Sequence, residues 1–376
     1  MKKSMKRNRL LSLALAGTLM MSLLAGCGGS APSAAPGGDS GSQGNDKPSS
    51  NEKYTIQMAG SLQNEHPITQ GLFKFEELAE SYSDGRIDVT IYPNGQLGSN
   101  REFYEQCQSG NIQMAEAGAV ILANFTNRFK FTSLPFLFNS REACQNFLKS
   151  DMGLEMNLAI AEETNLYPLV YFENGWQGMT NSKREILTPA DLKGLKIRTQ
   201  ENDILLKIYE EMGCNPMPMA FTELFTAMQQ KTVDGQVNPV LVDVTGNYHE
   251  VQSYLTDINA VYDLDCIAIN YDYFKSLPED IQEIIVRSAK EAQEFQLKLS
   301  ADEEEKGFDT LAEKGMKVTR LTPEQRAAFK DVTMGVYDWF ESQNIEPKLD
   351  EYLKAIEVSN QKFVDGKLEA VTGNDL

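Results

Sequence analysis

Between Thr188 and Pro239 one arginine, one aromatic ring and one amide, Arg198, Phe221 and Asn238, stand at separations punctuated by Pro and Gly, the pattern of a ligand-binding half-site. A guanidinium is a planar fork of donors that stays charged at any working pH and pairs bidentately with carboxylates. Each residue also has a plainer reading. An arginine at a strand end is usually solvated or ion-paired, Phe221 could be a hydrophobic staple or a core residue, and Asn238 before Pro239 could simply open a turn.

The segment's local signals supply the elements that would position these side chains. Thr188-Pro189-Ala190-Asp191 has the form of a capped helix start, cut to one turn by Gly194. Leu195-Lys196-Ile197 then reads as a short strand with Arg198 at its carboxyl end, where open α/β sheets bind ligands. Ile204, Leu205, Ile208 and Met212 share one face of a helix that Gly213 stops. Pro216-Met217-Pro218-Met219-Ala220 reads as a stiff loop delivering Phe221, with Thr222 capping a helix that reaches about Gln230.

The wider chain, 376 residues, exceeds what one core usually holds, so two domains are expected. Tyr54, Ile56 and Met58 alternate as a strand, and Ile68, Leu72, Phe75, Ala79 and Tyr82 recur at helical spacing. Ile87, Val89 and Ile91 form the next strand, and a helix through Phe103 and Cys107 follows; this βαβα alternation implies parallel sheet covered by helices. Strand-like runs at 167–173 and 258–270 read as crossings between two α/β lobes. Pro278 opens a helix of unusual length, to about Glu313, and Thr322-Pro323-Glu324-Gln325 caps another.

These residues resemble the solute-binding proteins of tripartite ATP-independent periplasmic (TRAP) transporters. The likeness is close over DLKGLKIR (191–198), NPMPMAFTELFTAMQQ (215–230) and VDGQVNP (233–239). It extends to GRIDVTIYPNGQLGSNRE (85–102), LPFLF (134–138), TNSKR (180–184), HEVQSYL (249–255) and SLPEDIQEII (276–285). The resemblance implies a two-lobed fold of the periplasmic-binding-protein type II kind, with a ligand cleft between lobes and a long bracing helix. One lobe is expected from 53–174 plus 263–303, the other from 175–262 plus 304–376. By the same resemblance Arg198 would hold a substrate carboxylate, Phe221 would pack on the ligand's carbon skeleton, and Asn238 would supply an amide nearby.

One departure bears on the substrate. Many members carry a second arginine where this chain has Gln177, in Asn174-Gly175-Trp176-Gln177. A neutral amide removes one cationic clamp, which favours a monocarboxylate bearing hydroxyl or carbonyl groups over a dicarboxylate, unless Arg101, Lys183, Arg184 or a main-chain donor replaces it. Trp176 reads equally as pocket wall or core. From the first lobe Asn64, Glu65 and Glu116 are candidates to face the ligand, each equally a cap or loop residue, while Pro67 makes His66 a helix-opening residue.

Basic residues Lys2, Lys3, Lys6, Arg7 and Arg9, an apolar run from Leu10 to Leu24 and Leu24-Ala25-Gly26-Cys27 read as a lipoprotein signal over 1–26, with Cys27 lipidated. The Gly/Ser/Pro-rich stretch through residue 52 reads as a flexible tether of roughly 25–30 Å root-mean-square span. The expected location is extracytoplasmic, lipid-anchored to the cell membrane, with TRAP membrane subunits as partners.

The formal charge is −19, and about −24 once the signal is removed, which argues against nucleic acid. Cys107, Cys144, Cys214 and Cys266 are widely spaced, so buried free thiols are expected and no metal or cofactor is implied. Two alternatives stand beside transport. One is a secreted lyase or hydrolase acting on an acidic sugar, for which only His66 and His249 offer imidazoles and neither GxSxG nor HExxH is present. The other is a ligand-binding sensor lipoprotein.

Overall fold

The computed structural model describes residues 52–344 and 349–365; the signal segment, Cys27 and the tether up to residue 51 lie outside the described residues. The strands among them are β1 (Tyr54–Ala59), β2 (Ile87–Tyr92), β3 (Met114–Gly118), β4 (Leu166–Asn181), β5 (Lys196–Thr199), β6 (Asn215–Pro218), β7 (Gly235–Pro239), β8 (Tyr254–Thr256), β9 (Tyr262–Asn270) and β10 (Lys317–Thr319). They run in the order β2-β1-β3-β9-β4-β7-β5-β6, with β8 on β4 and β10 on β8.

In the first lobe β1 lies parallel to β2 and β3, as the βαβα pattern requires, and Ile56, Met58, Val89, Leu72 and Phe75 are buried together. In the second, β5 is parallel to β6 and β7, and Ile197, Leu205, Ile208 and Val237 are buried. The sixteen-residue β4 belongs to both. Its residues from Leu166 to Trp176 pair antiparallel with β9, and those from Gln177 to Asn181 pair antiparallel with β7. The changeover follows a register shift between Glu173 and Gly175. Gly175 has φ 121°, a conformation L-residues rarely adopt, and a Cβ there would sit 3.3 Å from Pro239 Cβ.

The helix Glu279–Glu313 has 35 residues, so it is about 52 Å long. It packs against the helix Pro67–Tyr82, against β4 and against the helix Val240–Thr245, and so braces both lobes. Gln296, wholly buried within it, takes both backbone groups of Glu173: Oε1 accepts from the amide (2.9 Å) and Nε2 donates to the carbonyl (2.7 Å). These bonds satisfy the strand where the register shift interrupts its ladder. Close approach at this seam depends on Gly71, where a Cβ would meet Phe172 at 2.6 Å and Gln296 at 3.0 Å.

Several sequence readings hold in detail. Thr188 and Asp191 form a capping box over the short turn Pro189–Leu192, and Thr322 and Gln325 form another. His66 opens the helix Pro67–Tyr82, its Nδ1 accepting from the Ile68 amide. The four described cysteines are buried and free.

Others need correction. Residues 215–218 are an edge strand and not a loop, because prolines are tolerated where an N–H need not reach a neighbour. Thr222 caps no helix: it lies within the 3₁₀ turn Phe221–Glu223, which runs into the helix Leu224–Gln229 without a side-chain cap. The crossing strand expected from Ile258 begins only at Tyr262, and the crossing expected to end near Glu173 continues to Asn181.

Candidate ligand-binding site

Arg198 stands near the carboxyl end of β5, one residue before the chain leaves the strand. Its side chain is 1% exposed. Nε donates to the Met219 carbonyl (3.0 Å), Nη1 has no hydrogen-bond partner, and no carboxylate lies within ion-pair distance among the described residues. Burial lowers its pKa to about 10, opposed by Tyr248, Glu201 and Asp263, so the group remains cationic at neutral pH. A buried cation with an unused donor is costly unless an anion meets it.

Asn238 is buried on β7 and donates to Gln236 Oε1 (2.5 Å); Gln236 in turn donates to Thr180 Oγ1 (3.0 Å) and Asp243 Oδ1 (2.8 Å). One of its two amide N–H donors is thus engaged within the chain and the other is left for a ligand. Burial holds the Asp243 carboxyl well above the usual range. Burial raises the Tyr248 pKa, with Asp243 adding to the rise and Arg198 opposing it. Phe221 is half-buried and, with Phe225 and Tyr248, forms one wall of a cleft of about 410 Å³ whose opposite wall is Ser61, Gln63, Asn94 and Gly95. The walls meet at the rim, where a Cβ on Gly95 (φ 68°) would come within 3.1 Å of Thr222.

Gln177 is buried and polar on every side. It accepts from Tyr209 Oη (2.9 Å) and donates to Gln200 Oε1 (3.2 Å), and Gln200 donates to Asp263 Oδ2 (3.2 Å). Asp263 leads to a group of carboxyls of which the sequence singled out Glu116 but not Asp263 and Asp265. Asp263 and Asp265 are separated by one residue of β9 and so share a face, and Glu116 joins them because β3 pairs with β9 through Gly118↔Asp265 and Glu116↔Ile267. All three are at most 2% exposed. The Ser61 amide donates to Glu116 Oε2 (2.7 Å), tying the cluster to the cleft wall. Burial raises Glu116 to about 7 and Asp263 to about 6, and burial with the charge of Glu116 holds Asp265 well above the usual range. The signal was present as Asp-x-Asp inside an otherwise apolar strand.

Other candidates lie apart. Trp176 is half-buried and packs on Tyr262, ring centroids 4.9 Å apart. Asn64 and Glu65 are exposed; Asn64 accepts from Asn94 (3.3 Å) at the cleft mouth, and Glu65 is not among the residues lining it. Each of the three cations considered as a second anchor is engaged elsewhere. Arg101 pairs with Glu105 (2.9 Å), Lys183 with Asp234 (3.2 Å), and Arg184 donates to the carbonyls of Asp191 (2.8 Å) and Lys193 (2.7 Å). A larger groove of about 530 Å³ along the long helix at Phe274, Glu279 and Lys290 holds none of the residues around Arg198. Among the described residues no cluster of His, Cys, Asp and Glu is arranged to hold a metal, and no helix is long and apolar enough to cross a membrane.

A two-lobed α/β molecule with a shared crossing strand, a bracing helix and an arginine buried near the carboxyl end of a second-lobe strand is the architecture of an extracytoplasmic binding protein. The model of the bacterial extracellular solute-binding protein family 7 matches residues 58–344, and the chain belongs to that family, the solute-binding proteins of TRAP transporters. It is 32% identical over 258 residues, 69% of this chain and 78% of the other, to the 2,3-diketo-L-gulonate-binding periplasmic protein YiaO of Escherichia coli. It is 31% identical over 292 residues, 76% and 86% of the two chains, to the C4-dicarboxylate-binding periplasmic protein DctP of Rhodobacter capsulatus. Among solved structures, the sugar acid binding protein DctPAm of Advenella mimigardefordensis in complex with galactonate superposes with a TM-score of 0.78. That match has 29% identity and covers 83% of this chain and 99% of that one.

Proposed function

We propose that this protein captures a small organic acid, a monocarboxylate bearing hydroxyl or carbonyl groups, and delivers it to TRAP membrane subunits. The observation that carries this reading is the buried Arg198 guanidinium with an unpartnered Nη1 and no carboxylate in ion-pair range among the described residues. The acid's carboxylate would complete that pair. Phe221 would flank the carbon skeleton, and Asn238 would present its remaining N–H donor to the ligand. Closure of lobe 53–174 plus 263–303 on lobe 175–262 plus 304–376, about the crossing strands, would exclude water from the ion pair and strengthen it.

Relatives named for diketogulonate and galactonate support a sugar acid, and a relative named for C4 dicarboxylates keeps the diacid class in view. The neutral Gln177 and the engagement of Arg101, Lys183 and Arg184 elsewhere favour one carboxylate over two. Lipidation at Cys27 would hold the domain at the membrane surface, raising its effective concentration near its membrane partners. No turnover of the ligand is expected, since burial drives the His66 pKa down to about 3 and its Nδ1 is committed to a helix cap.

A thermal-shift screen against aldonates, uronates, keto acids and C4 dicarboxylates tests the proposal. A ligand at a hundred times its dissociation constant adds about 2.7 kcal/mol of stability. A stabilising acid whose effect vanishes in Arg198→Ala supports it, and stabilisation unchanged in that variant rejects it.

A further inference from the structure

Three buried carboxyl groups share one face of the sheet, one of them, Asp263, within electrostatic reach of Arg198, and organic-acid capture alone gives them no purpose. Asp263, Asp265 and Glu116 share one face of the sheet at the carboxyl ends of the parallel strands β1 and β3, the edge where such sheets take their ligands. Asp263 lies within electrostatic reach of Arg198, and each acts on the other's ionisation. Among the described residues, Asp263 Oδ1 and Asn100 Oδ1 at this edge and Arg198 Nη1 in the other lobe are left without hydrogen-bond partners, while the Asp265 and Glu116 carboxyl groups bond to each other. Asp265 Oδ1, Asn100 Nδ2 and Gln200 Nε2 converge further, all within 3.7–3.8 Å of the point to which a Cβ on Gly118 would project. Buried acceptors that find no donor in their own chain are satisfied by something that brings donors.

Resting on the binding reading above, we infer that Asp263, Asp265 and Glu116 form a specificity wall that accepts hydrogen bonds from the hydroxyl groups of a polyhydroxy monocarboxylate and rejects a second carboxylate. The chemistry is one-sided. A hydroxyl donates to a carboxylate and accepts from a carboxylic acid, so it suits the wall in either protonation state. A second ligand carboxylate would be placed against the negative charge that Asp263 and the Glu116–Asp265 pair still carry at pH 7.5, with Gln177 where a cation would be needed, and like-charge juxtaposition in a desolvated site is unfavourable. Asp263 and Asp265 are therefore specificity-determining residues, with Gln200 holding Asp263 in place (3.2 Å).

The test is calorimetric titration of the purified protein at pH 7.5 with galactonate, gluconate and erythronate against succinate and fumarate, repeated with Asp263→Asn and Asp265→Asn. The expected result is at least a hundredfold preference for the best aldonate over either diacid. Each Asn variant should narrow that ratio tenfold or more, because it weakens the aldonate and strengthens the diacid. A variant that merely loosens the fold weakens both ligands together, and an unchanged ratio in both variants overturns the inference. Diacids bound as tightly as aldonates by the native protein, or an amino acid bound more tightly than any aldonate, overturn it too. Those last two outcomes leave Arg198 as a carboxylate anchor, which fails separately if Arg198→Ala binds every acid as the native protein does.

Discussion

Arg198 and Asp263 act on each other's ionisation, yet no ion pair joins them, and each keeps one buried polar atom, Nη1 and Oδ1, without a hydrogen-bond partner among the described residues. Opposite charges so near would ordinarily collapse into a salt bridge. Here the guanidinium Nε donates to the Met219 carbonyl and Gln200 donates to the carboxyl Oδ2, so each side chain is held by a bond of its own. A ligand with a carboxylate at one end and hydroxyls at the other satisfies both.

Arg198→Lys tests whether the planar fork matters. An ammonium keeps the charge and loses the bidentate geometry, and spoiling a buried charge pair costs about 2–5 kcal/mol. Affinity for the best acid, measured by calorimetry, should fall at least thirtyfold while the far-ultraviolet circular dichroism is unchanged.

Phe221→Ala separates binding from folding. The ring is half-buried on the cleft wall and lies outside the most tightly packed core, so its loss should cost more in affinity than in stability. Titration should show affinity weakened by about 1–2 kcal/mol, and urea denaturation a smaller change.

Stability should fall as pH rises toward neutrality. Glu116 moves from 4.5 to about 7 on folding and Asp263 from 3.8 to about 6, so between those values the folded chain binds more protons than the unfolded one. His66, lowered from 6.5 to about 3, has the opposite sign and acts below 6.5. Above that pH the carboxyl contribution dominates. Urea midpoints of the ligand-free protein should drop between pH 6.5 and 8. Glu116→Gln should flatten the drop, because it removes one titrating group and relieves the charge acting on Asp265.

Gly175→Ala probes the crossing strand. A side chain at φ 121° is strained, and its Cβ would press on Pro239 at 3.3 Å. Strain of this kind costs of order 1–3 kcal/mol, which a urea titration reads directly.

How far the sequence could be read depended on the range of each signal. The capping boxes at Thr188 and Thr322, the His66 helix start and the helix from Glu279 to Glu313 were legible because each is written in a few adjacent residues. The edge strand Asn215–Pro218 was not, since its prolines oppose strand propensity and only the pairing with β5 determines it. Arg198 was found through its surroundings. Asp263 and Asp265 were missed because their role depends on β9 lying between β3 and β4, a register that no local pattern encodes. Gln177 was noticed as the loss of a charge, but its bonds to Tyr209 and Gln200 come from the tertiary fold.

Whether a ligand carboxylate completes the Arg198 pair is settled by a crystal structure of the protein with its tightest-binding acid. The predicted result places the ligand carboxylate within hydrogen-bond distance of Arg198 Nη1, with hydroxyl groups against Asp263 and Asp265. A ligand seated in the groove along the long helix, or in the cleft with its carboxylate turned away from Arg198, would contradict it.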